Sequence, residues 1–412
     1  YTVGKVRLGI PECNGSNIRG ALSRPFTAAA SAQEGAMLLA SAMLGPAALG
    51  AMSDPRNMPL RPRRLGATYA VPTWMPESAM EVNEPSAVLA LGRIRRSTVT
   101  LQRSGLEVAT SFWRTDKFAR AESPKLVFLH GADSNCLEWR YVAEKLGASG
   151  LDCTCIDWWS GGFTDREPIN KALKGSGGKS QPSTLIREHL EAFCEQQFFD
   201  PDGPGTDEAV ILIGASLGGA VAIDWAAANP ERVKALILID SSGESYHDPS
   251  SEAAQALAPA VLAAKSLAAW VSSKAVDVGW DTSEEMRIAG LHRTEPGWRE
   301  AYGAYLTSGG HQAAVTPEVV RSLGVPTLVL WGTEDKTLPL RDAYAFQRDL
   351  GPNCYGVREV RGAGHSPHLD DPAFVAKHIG LFLEELDLTG GAAPSDLDGG
   401  AARRQRYRDN RP

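Results

Sequence analysis

Apolar and polar positions along the middle of this chain follow two periods, one suited to strands and one to helices, and the two take turns. Residues 97–102 and 106–113 alternate with a period of two and are split by Ser104-Gly105, which predicts a hairpin. Short apolar runs follow at 125–129, 151–156, 209–213, 233–239, 327–331 and 356–360. Between them lie helical patterns. Ile186, Leu190, Phe193 and Cys194 share one face, and so do Val375, Ile379, Phe382, Leu383 and Leu386, with Asp371 as N-cap and Pro372 at the first helical position. Apolar strands of about five residues alternating with helices predict a mostly parallel sheet covered on both faces.

The alternation lapses in two places. Between residues 242 and 324 there are helical stretches but no strand, which predicts a helical cap inserted between two sheet strands. Residues 1–92 are rich in Ala, Pro, Gly, Met and Arg without steady periodicity, so order is expected from about Arg95. Residues 35–53 carry no charge, but Gly45, Pro46 and Gly50 interrupt them, which argues against a membrane-spanning helix. Enrichment in Arg and Ser with few acids resembles an organelle transit peptide; the alternative is an extension with no address on a cytoplasmic protein. The chain opens on Tyr1, as expected of a processed chain or a partial reading frame. Residues 166–182 read as a flexible insertion. The expected organisation is an extension at 1–92, core at 93–243, cap at 244–323, core at 324–388 and a disordered tail at 389–412.

Composition narrows the picture further. Of 412 residues 43% are hydrophobic and 22% charged, which admits a large core and excludes wholesale disorder. A net charge of −7 argues against nucleic acid as the main partner, although the first 66 residues hold eight basic and three acidic side chains. Six cysteines in so long a chain set no disulfide framework and none are spaced for zinc. Cys153 and Cys155, two apart on a strand, are expected to pack as small hydrophobes in a reducing compartment.

The run AVILIGASLGGAVAIDWAAANP leads from an apolar strand through Gly214-Ala215-Ser216-Leu217-Gly218-Gly219 into a small-residue helix. This is G-x-S-x-G in the strand–turn–helix context where a serine nucleophile is carried on a tight turn. A nucleotide loop is the competing reading, but no Lys follows the glycines and the spacing is not G-x-G-x-x-G. A serine needs a base. His365, in GAGHSPHLDDP after the last strand, is the candidate, and His368 three residues on is expected to pack beneath the loop. The base needs a carboxylate. Asp335 and Glu334 in WGTEDKTLP are candidates, with Asp335 preferred; Asp240, after the run 233–239, is a third, better read as capping the turn that follows it.

From about Arg95 to Leu388 the chain resembles the α/β-hydrolase fold superfamily, in its cap-bearing branch. The resemblance rests on HGADSNCLEW, DWWSGGFTD, GASLGG, LILIDSSG, WGTEDKTLP and GAGHSPH in that order. The cap segment GLHRTEPGWREAYGAYLTSGG is similar to plant and algal plastid hydrolases, which favours a plastid address. The resemblance implies a mostly parallel eight-stranded sheet with the cap between strands 6 and 7. It also implies an oxyanion hole from the backbone N–H groups of Leu217 and Ala132, with His130 structural. Asp133 stands close to that hole, where a carboxylate would repel an oxyanion; it is expected to cap the helix near Cys136, with Ser134 and Asn135 as rivals. Serine at the nucleophile position excludes the related dehalogenases and epoxide hydrolases, which place aspartate there. The expected function is a serine hydrolase of a carboxylic ester or thioester, without metal or organic cofactor, acting on a partly apolar small molecule. Trp298, Tyr302 and Trp270 in the cap are candidates to touch that substrate or simply to pack the cap. The alternatives are a ligand-binding protein on a hydrolase scaffold and a serine-dependent carbon–carbon hydrolase or lyase.

Overall fold

Eight strands form one sheet in the computed structural model, which describes residues 71–115, 123–159, 161–175, 182–199, 209–243, 284–307 and 314–388. The strands are β1 (Arg95–Thr100), β2 (Glu107–Arg114), β3 (Lys125–Leu129), β4 (Asp152–Ile156), β5 (Val210–Ala215), β6 (Val233–Ile239), β7 (Thr327–Gly332) and β8 (Cys354–Val360). Their order across the sheet is β1-β2-β4-β3-β5-β6-β7-β8. β2 runs antiparallel to both β1 and β4, and every other pairing is parallel. The carboxyl ends of β3, β5, β6, β7 and β8 therefore lie side by side along one edge, where a parallel sheet places its ligands.

Alternate residues of each central strand go to opposite faces. Val127, Leu129, Leu212 and Leu238 join one buried cluster, and Leu126, Phe128, Ile211 and Ile237 join the other. Both faces are dry, which is why these strands read as unbroken apolar runs rather than as alternation. The α-helices named below are α1 (Pro85–Leu91), α2 (Glu167–Gly175), α3 (Pro182–Cys194), α4 (Leu217–Ala228), α5 (Glu284–Gly290), α6 (Trp298–Thr307), α7 (Pro317–Ser322) and α8 (Pro372–Glu385). The predicted apolar faces are buried: Ile186, Leu190, Phe193 and Cys194 on α3, and Val375, Ile379, Phe382 and Leu383 on α8. Asp371 accepts the Phe374 N–H at 2.9 Å as the N-cap of α8. On α3, Glu188 accepts the N–H groups of Arg103 and Ser104 at 2.6 and 2.9 Å, which ties the β1–β2 turn to the helix beneath it. Cys153 and Cys155 are buried and free.

Two expectations are corrected. Order begins by Val71 rather than near Arg95. Ala87, Ala90 and Leu91 of α1 are fully buried, Glu84 caps the helix through Ser86 and Ala87, and the same carboxylate takes Arg140 Nε at 3.1 Å. A helix of seven residues, about two turns, is too short to announce a period, so packing rather than pattern defines it. Residues 166–182 are not merely an insertion, because α2 forms there with Ile169 buried. The described part of the cap, between β6 and β7, holds α5, α6 and α7 and no strand. Residues 1–70, 244–283 and 389–412 lie outside the described residues, and with them most of the expected transit peptide, Trp270 and the tail. Among the described residues no helix is long and apolar enough to cross a membrane.

Leu91→Ala should lower the free energy of urea unfolding by about 2–5 kcal/mol, the usual cost of emptying a buried leucine site. An unchanged midpoint would mean that residues 71–94 are not part of the core. A second prediction concerns His189 of α3, which is fully buried with Nε2 2.6 Å from Thr110 Oγ1. Burial lowers its pKa to about 4. As pH falls the unfolded chain takes up this proton near 6.5, before the folded one, so stability is lost between about pH 6.5 and 4. His189→Leu should show a shallower loss across that window than wild type in midpoints measured at half-unit steps.

Candidate active site

β5 ends in a turn that admits almost no side chains. Ser216 sits at φ 50° and ψ −118°, a region that a non-glycine residue occupies only under constraint. A Cβ on Gly214 would stand 2.3 Å from Gly218 O, one on Gly218 2.1 Å from Leu129 O, and one on Gly219 2.2 Å from Ser241 Oγ. The three glycines therefore let α4 start against the carboxyl end of β3. Ser216 N–H donates to Ile239 O at 2.9 Å and its carbonyl accepts from Ser242 N–H at 3.1 Å, so the strained residue is pinned to β6 on both sides.

His365 and Asp335 reach this serine from the next strands across. His365 Nε2 lies 3.0 Å from Ser216 Oγ, and Nδ1 lies 2.7 Å from Asp335 Oδ2. Asp335 is fixed by the Thr337 and Leu338 N–H groups, which donate to its Oδ1 at 2.7 and 3.0 Å. The loops that carry the two residues interlock. Glu334 N–H donates to Ala363 O and Thr333 N–H to Val360 O, while Gly364 N–H donates to Asp370. Glu334 itself is exposed. With Nδ1–H held by the carboxylate, Nε2 is left to accept a proton from the serine.

Asp240 does not cap the turn after β6, contrary to expectation. Its Oδ1 accepts the Gly332 N–H of β7 at 2.9 Å, and the side chain is buried between Ser216 and Asp335 in sheet order. Burial raises its pKa to about 8, the Gly332 hydrogen bond opposes the rise, and the charge of Asp335 adds to it. Asp240, Asp335 and His365 bring ligand-type atoms within 4.8 Å of one another, close enough for a cation, although two of the three are hydrogen-bonded to each other. His368 packs beneath the loop as expected, stacked on Trp139 with ring centroids 4.5 Å apart.

The loop after β3 passes beside the nucleophile. A Cβ on Gly131 would lie 3.5 Å from Ser216 Cβ. His130 is buried, stacked on Trp158, and its Nδ1 is 2.8 Å from Gly131 O. Burial lowers its pKa to about 4, so the ring is neutral and this nitrogen serves as the donor. Glu138 accepts the Gly131 N–H at 3.1 Å and the Ser134 hydroxyl from the other side. Asn135, not Asp133, caps the short helix at Cys136–Trp139, accepting Leu137 N–H at 3.0 Å. Asp133, at φ 54°, turns instead toward the cap and takes Trp298 Nε1 at 2.9 Å, Arg293 at 2.9 Å and His292 Nε2 at 3.2 Å. Those partners stand about 160 residues along the chain, so no local signal could have pointed to them.

Trp298 and Tyr302 are 2% and 4% exposed and stack on each other with Tyr305 next in line. In this arrangement they pack the cap onto the core. Two clefts of about 580 and 660 Å³ lie over α3 and beside Trp74 and Arg96, and neither borders Ser216, Asp335 or His365.

Residues 126–378 match the model of the alpha/beta hydrolase family. The chain is 28% identical, over 76% of its length and 90% of the relative, to the alpha/beta hydrolase domain-containing protein VTE7 of Arabidopsis thaliana. It is 24% identical to the carboxylesterase YbfK of Bacillus subtilis, over 69% of this chain and 88% of that one. The structure of a thermophilic esterase from Thermogutta terrifontis superposes with a TM-score of 0.54 at 20% identity, over 71% of this chain and 99% of that one. Sheet order, nucleophile turn and family match agree: this chain belongs to the alpha/beta hydrolase family.

Proposed function

We propose that the protein is a serine hydrolase that cleaves a carboxylic ester or thioester of a partly apolar small molecule through an acyl-enzyme on Ser216. The observation that carries this reading is the unbroken chain from Ser216 Oγ through His365 to Asp335, at 3.0 and 2.7 Å. His365 takes the serine proton as Oγ attacks the carbonyl carbon, and Asp335 stabilises the imidazolium that forms. The tetrahedral oxyanion is held by the N–H groups of Leu217, the first residue of α4, and Ala132, after Gly131. His365 returns the proton to the leaving alcohol or thiol. Water then attacks the acyl-enzyme by the same route in reverse. The carboxylesterase relative supports ester chemistry. A ligand-binding protein on the same scaffold would have no need of a base and acid aligned on the serine. A carbon–carbon hydrolase or lyase would share Ser216 and need in addition a cap residue poised over the substrate. A plastid location is supported by residues 1–66, where eight basic side chains stand against three acidic ones, and by the plant relative.

A fluorophosphonate probe should label Ser216 and no other residue, with the adduct read by mass spectrometry, and Ser216→Ala should take no label. Turnover of p-nitrophenyl butyrate should fall by about 10⁴-fold in Asp335→Asn, the scale seen when an orienting carboxylate becomes an amide. Full activity in Asp335→Asn combined with its loss in Asp240→Asn would move the acid to β6. A folded wild type that neither labels nor turns over the ester would sink the hydrolase reading. A fluorescent protein fused behind residues 1–70 should be imported by isolated chloroplasts and shortened; its exclusion would remove the plastid proposal.

A further inference from the structure

We propose that Asp133 is a positioning residue that makes docking of cap residues 291–298 and formation of the oxyanion hole a single event. The inference rests on the reading of Ser216 as nucleophile and of Ala132 N–H as an oxyanion donor. Asp133 is the residue after that donor, and a bare carboxylate there would oppose the charge the hole is meant to hold. In the structure it is not bare. Its side chain is 1% exposed, and Arg293, Trp298 and His292 converge on it from the cap. The indole and imidazole N–H groups and the guanidinium share the negative charge, which spares the hole.

The same contacts hold the backbone. Asp133 lies at φ 54°, a left-handed conformation that a non-glycine residue keeps only where its neighbours hold it there. Arg293, Trp298 and His292, all from the cap, hold its carboxylate. On the other side, His130 Nδ1–H holds Gly131 O at 2.8 Å. In a planar trans peptide the next N–H, that of Ala132, then points the opposite way. The donor is thus set between a core anchor at His130 and a cap anchor at Asp133. Asn135 of the same loop joins in, donating to Ile288 O at 3.1 Å and lying 3.4 Å from His292 Nδ1. This fixes one tautomer for His292: Nδ1 accepts from Asn135 and Nε2–H donates to Asp133. Asn170 Nδ2, donating to Gly297 O at 3.0 Å, fastens the far end of the segment. An undocked segment would leave Asp133 charged, solvated and free to leave its left-handed conformation, taking Ala132 N–H with it. Only substrates that let these residues dock would then be hydrolysed quickly.

The test uses the full chain, p-nitrophenyl butyrate as substrate and an alkyl trifluoromethyl ketone, whose serine adduct carries the oxyanion. Asp133→Ala should lower kcat about 10²–10³-fold, the scale of losing one oxyanion donor. KM should change by less than threefold, and the ketone should bind more weakly by the same factor as kcat/KM falls. Trp298→Phe, which removes one donor to Asp133 and keeps the ring, should give a smaller loss on the same line. A folded Asp133→Ala with kcat within threefold of wild type would overturn the proposal, as would a loss of kcat with undiminished ketone binding. If Asp133→Ala fails to fold, Trp298→Phe decides by the same two readouts. A wild type that is neither labelled by fluorophosphonate nor inhibited by the ketone would instead remove the nucleophile reading on which the proposal stands.

Discussion

Much of this molecule depends on one backbone residue held where it does not want to be. Ser216 at φ 50° can be kept only if the turn around it is closed on every side, and closure leaves no room for a Cβ at 214, 218 or 219. Those absences draw the start of α4 down onto the end of β3. That brings the start of α4 and the loop after β3 up to Ser216, where a Cβ on Gly131 would lie 3.5 Å from Ser216 Cβ. Strand order completes the arrangement. With β6, β7 and β8 following β5 in the sheet, loops far apart in sequence come within hydrogen-bonding reach of the same serine.

A second buried group holds the neighbouring loops in place. Asp157, fully buried after β4, accepts from Ser111 Oγ at 2.7 Å, from Cys136 N–H at 2.6 Å and from Phe163 N–H at 3.0 Å. One carboxylate thus joins β2, the loop after β3 and the loop after β4. Gly162, at φ 60°, passes so close that a Cβ would collide with it. A buried side chain held by several donors is rigid, and leaving one of its buried polar atoms without a partner costs about 1–3 kcal/mol. Rigidity matters at this place because the loop it braces runs beside Ser216, which we propose as the nucleophile, and the oxyanion donor proposed there works only when it is fixed before the charge appears.

The sheet and the Ser216 turn were legible in the sequence because each has a local cause. Apolar runs mark strands buried on both faces, and glycines mark a turn that cannot tolerate bulk. His365 and Asp335 were legible in part, since their loops follow apolar runs, but the choice among Glu334, Asp335 and Asp240 needed coordinates. Two kinds of feature were hidden. α1 is about two turns long, and its role is to be covered, which leaves no period in so short a segment. Asp133 has partners about 160 residues away, and its nearest sequence neighbours suggested a helix cap that Asn135 supplies instead. Long-range pairing of a buried charge has no signature in a single sequence.

Asp240 and Asp335 illustrate how the environment gives two similar carboxyls different parts. Both follow adjacent parallel strands and both lie within reach of His365. Three hydrogen bonds converge on Asp335, two from backbone N–H groups and one from the imidazole. Only the Gly332 N–H is described on Asp240, whose other oxygen is buried without a hydrogen-bond partner among the described residues. Burial, reinforced by the Asp335 charge, lifts Asp240 to about 8, so near neutral pH its proton stays on. A neutral acid beside the pair avoids placing a second negative charge next to the imidazolium's partner, where the two carboxylates would repel each other. The negative charge belongs where the donors are, and the donors were placed by the turn after β7. Backbone geometry thereby selects which of the two aspartates is hydrogen-bonded to His365.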